Sequence, residues 1–193
     1  MITIIAVTYD HIESLKCFIN SIKNQTNDNW NLFIIHDGPN TSLKEVLINE
    51  NYLNDKIIFI EHPIRTQNYG HILRKWSLEN INLSERLLLT NADNYYTPNF
   101  VDEVLKYEED FIYFNVVHSH SNKSNHNKST YGFMNTHLIN GKIDMGCVVV
   151  KSEIAKRIGF NSTLYDADWN YFDDILKTNP SILKIDKVLF VHN

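Results

Sequence analysis

Residues 2–8, Ile2-Thr3-Ile4-Ile5-Ala6-Val7-Thr8, are an apolar run rich in β-branched side chains with polar residues on both flanks, the pattern of a parallel strand buried on both faces. The period then turns helical. Ile12, Leu15, Phe18 or Ile19, and Ile22 recur at helix spacing, with Asp10 placed to cap the helix and Glu13 three residues on to answer it. The alternation repeats. Residues 31–35 predict a second strand ending at His36-Asp37-Gly38-Pro39, and a polar turn leads into a helix over 43–48. Residues 57–60 predict a third strand. A helix carrying Ile72, Leu73, Trp76 and Leu78 follows Gly70, and 86–90 predict a fourth strand running into Asn91-Ala92-Asp93-Asn94.

Strands alternating with helices through the first hundred residues predict an α/β fold with a mostly parallel central sheet flanked by helices. Ligands of such sheets lie at the carboxyl ends of the strands. Thr8-Tyr9-Asp10, His36-Asp37-Gly38 and Asn91-Ala92-Asp93-Asn94 all fall at those ends, so the sheet is expected to gather them on one rim. After Asp93 the character changes. Thr97 and Pro98 predict the N-cap and first position of a helix with Val101, Val104 and Leu105 as its buried stripe. Residues 111–117 and 143–150 predict strands, and 118–131, polar and without an apolar period, predict a mobile loop. Helices over 152–158 and 168–177 and a strand over 182–191 complete the pattern.

Composition narrows the class. At 193 residues with 43% hydrophobic content the chain suits one soluble globular domain, long enough to fold without a staple. Cys17 and Cys147 are too few for a disulfide framework. The net charge of −5 argues against a nucleic-acid partner. No apolar run approaches a membrane span, and no basic flank or cleavage site marks a signal peptide; a cytoplasmic protein with reduced thiols is expected.

Asp93 follows a buried strand among Asn91, Asn94, Tyr95 and Tyr96. A carboxylate there suits a hard divalent cation that borrows its other ligands from substrate phosphates, although Asx residues also simply begin turns at strand ends. Further motifs add to this. Val7-Thr8-Tyr9, His36-Asp37-Gly38, Asn68-Tyr69-Gly70 and residues 90–98, followed by 146–152, Ile158-Gly159-Phe160, 166–171 and His192, resemble in order and spacing the motifs of GT-A glycosyltransferases of the family 2 type. The resemblance covers essentially the whole chain. It implies a single GT-A domain, with 1–98 as the nucleotide-sugar half, 99–193 as the acceptor-side half, and 118–131 as a loop folding over donor or acceptor.

The resemblance also implies roles. Asp37 stands where the family hydrogen-bonds the nucleotide base, and Thr8 and Tyr9 line the same nucleoside pocket. Asp93 matches the last Asp of the Asp-x-Asp motif, which binds the metal and the diphosphate; Ala92 precedes it, and Asn91 replaces the first Asp, keeping an acceptor oxygen but no charge. Gly70 belongs to the motif before the next helix, on which Arg74 and Lys75 either reach the diphosphate or form an exposed face. Asp168 matches the catalytic base of inverting members, with Ala167 where an acid usually precedes it. His192 matches a metal-completing histidine, and Trp169 is placed to stack on a sugar. The implied cofactor is Mn²⁺ or Mg²⁺, and the implied partners are a nucleotide-sugar donor, usually a UDP-sugar, and a glycan or other hydroxyl acceptor.

Asp166 reads as a helix cap and Asp173 with Asp174 as a solvated helix face. His118, His120 and His126 read as loop residues rather than a metal tract, since no Cys or acidic residue neighbours them in sequence. Two other functions stand beside the transferase: a nucleotide-sugar-binding module without catalysis, suggested by Asn91 and Ala167, and a nucleotidyltransferase. The latter lacks its Gly-rich, Lys- or Arg-bearing loop near the first strand. The chain stops one residue after His192, from which either a minimal transferase or a domain of a longer polypeptide is expected.

Overall fold

The computed structural model describes residues 1–121 and 129–193, and of 119–121 and 129–130 the backbone only. In chain order the first half comprises β1 (Ile2–Thr8), α1 (Ile12–Lys23), β2 (Trp30–His36), α2 (Thr41–Asn49), β3 (Ile57–Glu61), α3 (His71–Asn80), β4 (Arg86–Asn91), β5 (Tyr95–Tyr96) and α4 (Phe100–Val104). The second comprises β6 (Phe111–Ser121), β7 (Ser129–Met134), β8 (Val148–Lys151), α5 (Ser152–Ile158), α6 (Ala167–Leu176) and β9 (Ile182–His192).

β1 is buried from Ile2 through Val7, Thr3 included, because it pairs in parallel with β2 on one side and β4 on the other and helices cover both faces. β3 extends this parallel array beyond β2. Past β4 the directions mix: β8 runs antiparallel to both β4 and β6, β9 is parallel to β6, and β5 is antiparallel to β9. The described strands lie in the order β3-β2-β1-β4-β8-β6-β9-β5, with β7 on β6. The expected α/β sheet is therefore present, parallel in its first half and mixed in its second.

Tyr96 ties the two halves together. Its fully buried ring packs on Phe100 and Phe190. Its hydroxyl donates to the Gly146 carbonyl at 2.8 Å and lies 2.9 Å from Thr90 Oγ1, while its N–H donates to Ser21 Oγ. One residue thus fixes the end of β4, the turn before β8 and α1 relative to one another.

Four local expectations are corrected. Asp10 does not cap α1: the sharp exit from β1 puts it at φ 52°, the N-cap is His11, and no side chain completes the cap. Thr97 and Pro98 lie ahead of α4, whose N-cap is Asn99, because the Pro98 carbonyl is drawn instead to the N–H and hydroxyl of Thr26. The strand expected over 143–150 begins only at Val148; Asp144 Oδ1 accepts from the Gly146 N–H and closes residues 145–147 into a 3₁₀ turn. The loop expected over 118–131 is in part a hairpin, with β6 and β7 pairing from Val116↔Met134 to Ser121↔Ser129. Backbone pairing there carries no apolar alternation to announce it, and residues 122–128, His126 among them, lie outside the described residues. Among the described residues no helix is long and apolar enough to cross a membrane. Both cysteines are free thiols.

The packing around Tyr96 leaves no room at Gly146. A Cβ there would lie 2.6 Å from Phe190 Cε2 and 2.9 Å from Tyr96 Oη, so Gly146→Ala is expected to destabilise the fold by about 1 to 3 kcal/mol, measured as a lower urea midpoint with unchanged slope.

Candidate functional site

The carboxyl ends of β1, β2 and β4 open onto a cavity of about 700 Å³. Thr8, Tyr9, Asp37, Asn91, Ala92 and Asp93 line it from the strand ends, and Gly70 lines it from the start of α3. Parallel strands present these ends on one rim, and so the sheet gathers the residues expected there. Arg65, Gln67, Asn68 and Tyr69 form the facing wall. Gly70 is required at its place: its φ is +76°, and a Cβ would meet Val7 Cγ2 at 2.6 Å.

That wall is held in an unusual conformation. Gln67, Asn68 and Tyr69 have φ values of 58°, 51° and 54°, each costing on the order of 1 kcal/mol or more for a residue with a Cβ. Asp37 offsets the cost. Its Oδ1 accepts from the Thr66 N–H at 2.6 Å and hydroxyl at 2.8 Å, and its Oδ2 accepts from the Gln67 N–H at 2.8 Å. Burial alone would raise the Asp37 pKa, but these hydrogen bonds and the Arg65 charge outweigh it and hold the carboxyl below the ordinary value. Arg65 stacks its guanidinium 3.8 Å above the Tyr9 ring at the cavity mouth. Tyr69, exposed, meets Tyr165 edge-on at 5.9 Å.

Behind the cavity lies a buried charge cluster. Arg74, 2% exposed, donates from Nη1 to the Tyr69 carbonyl at 2.9 Å and from Nη2 to Asn91 Oδ1 at 2.5 Å. Its Nη1 also lies 3.1 Å from His71 Nδ1. Burial and the Arg74 charge push His71 down to about 4, so its ring is neutral and able to accept. Burial lowers the Arg74 pKa too, and the Asp168, Asp144 and Asp93 carboxylates counter that. Of the two basic residues on α3, only Arg74 reaches the site. Lys75 is exposed and lines no part of the cavity, because neighbouring helical positions are about 100° apart and cannot share a face.

Asp168 stands in the first turn of α6, outside the cavity lining, within the field of Arg74, Asp144 and His192. Its Oδ1 is shut from solvent without a hydrogen-bond partner among the described residues, as are Asp93 Oδ1 and His192 Nδ1. Burial raises the Asp168 pKa to about 6, with Asp144 adding to the rise and Arg74 and the Met145 N–H opposing it. Asp166 occupies the N-cap of α6 without a side-chain cap bond, accepting instead from Asn170 Nδ2. Trp169 is half-buried beside Asp168 and does not line the cavity.

His192 closes β9 with its Nε2 3.8 Å from Asp144 Oδ2 and its ring stacked on His118 at 4.1 Å. Asp144 and Arg65 went unread in the sequence. Asp144 sits inside what reads as a strand, and Arg65 is a single cation in a loop after β3; neither carries a motif. His118 has the acidic neighbour that its sequence surroundings lack, supplied by the fold.

Comparisons with known proteins accord with this geometry. Residues 3–151 match the model of the family described as glycosyl transferase family 2. An uncharacterized glycosyltransferase of Methanocaldococcus jannaschii, MJ1057, is 31% identical over 111 residues, 56% of this chain and 37% of that protein. Among solved structures, S. aureus TarS 1-349 in complex with UDP-GlcNAc superposes with a TM-score of 0.74 at 15% identity, over 98% of this chain and 57% of that one. The mannosyltransferase PcManGT of Pyrobaculum calidifontis, in complex with GDP-Man and Mn²⁺, gives 0.70 at 12% identity, over 99% and 56%. At these identities the structural likeness is one of fold. The chain spans little more than half of either solved neighbour and about a third of the curated relative.

A carboxyl whose folded pKa is about 6, against about 3.9 when unfolded, binds its proton more tightly in the native state. Stability falls as pH rises through that window and stays reduced above it. In metal-free protein, Asp168→Asn is therefore expected to raise unfolding stability by up to about 3 kcal/mol at pH 8, a gain that shrinks toward zero by pH 4, as measured by urea titration at the two pH values.

Proposed function

The chain belongs to glycosyl transferase family 2, and from that premise we propose that it is an inverting, divalent-metal-dependent transferase that moves a sugar from a nucleotide-sugar donor, of the UDP type, to a hydroxyl acceptor such as a growing glycan. The observation that carries this reading is the strand-end cavity of nucleotide-sugar size lined by Thr8, Tyr9, Asp37 and Asp93, beside which the buried Arg74 lies in the field of Asp93, Asp144 and Asp168. TarS with UDP-GlcNAc and PcManGT with GDP-Man and Mn²⁺ support the donor class and the metal.

In this reading the 1–98 half holds the donor. Thr8, Tyr9 and the wall braced by Asp37 form the nucleoside pocket, and Asp37 Oδ2, which accepts one hydrogen bond, keeps a lone pair for a base N–H. Gly70 lets the backbone approach the diphosphate. Asp93 and His192 hold the cation: Asp93 Oδ1 is buried without a partner among the described residues, and a carboxylate oxygen with an imidazole nitrogen fits a hard-to-borderline divalent ion. A cation held there would supply charge neutralisation to the departing diphosphate. Asn91 gives its oxygen to Arg74 and so fixes that cation beside the diphosphate side of the cavity.

The 99–193 half receives the acceptor. Asp168, ionised above about pH 6, takes the proton of the acceptor hydroxyl as that oxygen attacks the anomeric carbon from the face opposite the nucleotide. Trp169, beside it, offers a flat surface for a sugar ring. A non-catalytic nucleotide-sugar-binding module is the second reading, favoured by the neutral Asn91 and Ala167 where acids are usual.

A panel of UDP- and GDP-sugars with MnCl₂ or MgCl₂ tests both. Turnover that is lost in chelator is expected; calorimetric binding without turnover, with or without acceptors, would select the binding module. Asp168→Asn is expected to cut transfer by about 10²- to 10⁴-fold while keeping donor affinity, and a large fall in affinity would reassign Asp168 to binding. Asp93→Ala is expected to weaken donor binding and abolish its dependence on metal in the same titration.

A further inference from the structure

We propose that His118, Asp144 and His192 form a cation site that takes one first-row divalent ion, such as Mn²⁺, Co²⁺ or Zn²⁺, in the absence of nucleotide and in preference to Mg²⁺. This deepens the assignment of His192 as a metal ligand and rests on that assignment for the ion's part in transfer; the binding itself rests on the three side chains.

The backbone builds most of the site. β6 and β9 are parallel neighbours, and their register places His118 directly beside His192, so both side chains leave the sheet on the same face. Their rings stack at 4.1 Å with 6° between planes. Asp144 faces them from the turn before β8. Its Oδ1 is fixed by the Gly146 N–H at 2.9 Å, which turns Oδ2 toward His192 Nε2, 3.8 Å away. That separation is too long for a hydrogen bond and falls within ion-pair range.

One ligand atom from each residue lies within 4.8 Å of the other two. Around an ion with bonds of about 2.1 Å, ligand atoms sit roughly 3 to 4.2 Å apart. Closing the widest pair therefore takes at most about 0.6 to 1.8 Å, a movement that side-chain torsions supply. All three residues are half-buried, open enough for an ion to enter and sheltered enough to hold it.

The donor set decides which ion. Mg²⁺ prefers oxygen ligands and gives up its water reluctantly, whereas two imidazoles with one carboxylate suit the first-row ions. Three protein ligands also leave coordination positions open for diphosphate oxygens.

The test uses the full chain, stripped with chelator and free of nucleotide. MnCl₂ is titrated in with the electron paramagnetic resonance signal of the free ion as readout, and CoCl₂ with visible absorption. One equivalent is expected to bind, His118→Ala and His192→Ala are each expected to weaken it by roughly 10-fold or more, and tenfold excess MgCl₂ is expected to leave it in place. Absence of binding, or binding unchanged in His118→Ala, overturns the site. Where a variant does not fold, the wild type answers: substoichiometric Mn²⁺ must broaden the ring-proton resonances of His118 and His192 ahead of those of His36, His62 and His71, and uniform broadening refutes the proposal. Donor binding without this cation site would overturn the site and leave the transferase reading standing, whereas cation binding in a chain that binds no nucleotide sugar would support the site and count against the transferase.

Discussion

Three carboxylates from distant parts of the chain, Asp93 after β4, Asp144 before β8 and Asp168 on α6, share the field of one buried guanidinium. Like charges do not gather in a half-desolvated place unless something opposes their repulsion. Arg74 does so, and its position is not adjustable: it is anchored to the Tyr69 carbonyl and Asn91 Oδ1, with Phe160 beneath the guanidinium. The course of the 65–70 wall, the orientation of Asn91 and the approach of α6 to the strand ends are therefore linked through a single side chain. Asp168 still carries part of the cost, visible in its raised pKa. A carboxylate destabilised in the resting protein is a better proton acceptor near neutral pH than an exposed one.

The sheet supplies the frame for that cluster by changing direction. Its parallel half brings the residues that line the cavity to one edge, as parallel strands buried on both faces must. The mixed half returns β9 alongside β6 and next to β5, which sets His192 near Asn94, whose Oδ1 accepts from the Asn193 N–H. Tyr96 holds the two halves in alignment through contacts to Thr90, Gly146 and Ser21, which keeps β9 in place against the strand ends.

What was legible in the sequence and what was not divides along physical lines. β1, β2, β4 and α1 announce themselves because a long apolar period leaves few alternatives, and the residues at their ends follow from the geometry of a parallel sheet. The 3₁₀ turn at 145–147 does not announce itself: one hydrogen bond from Gly146 to Asp144 decides it, inside a stretch whose hydrophobicity argues for a strand. The outer part of the β6–β7 pairing, 118–121 with 129–132, is mostly polar, and backbone pairing there leaves little mark on composition. Arg74 and Lys75 are adjacent and chemically alike, and only the rotation of α3 tells which one is buried. His118 and Asp144 are 26 positions apart in sequence, and their meeting depends on a strand register that no local pattern encodes.

The left-handed run at Gln67, Asn68 and Tyr69 has a consequence for the cavity it walls. Three residues in a disfavoured conformation are balanced by the hydrogen bonds of Asp37 to Thr66 and Gln67 and by Arg74 at the Tyr69 carbonyl. A segment that sheds backbone strain on unfolding lies toward the low-stability end of a structure. The shape of the cavity thus depends on two polar side chains and not on the hydrophobic core alone.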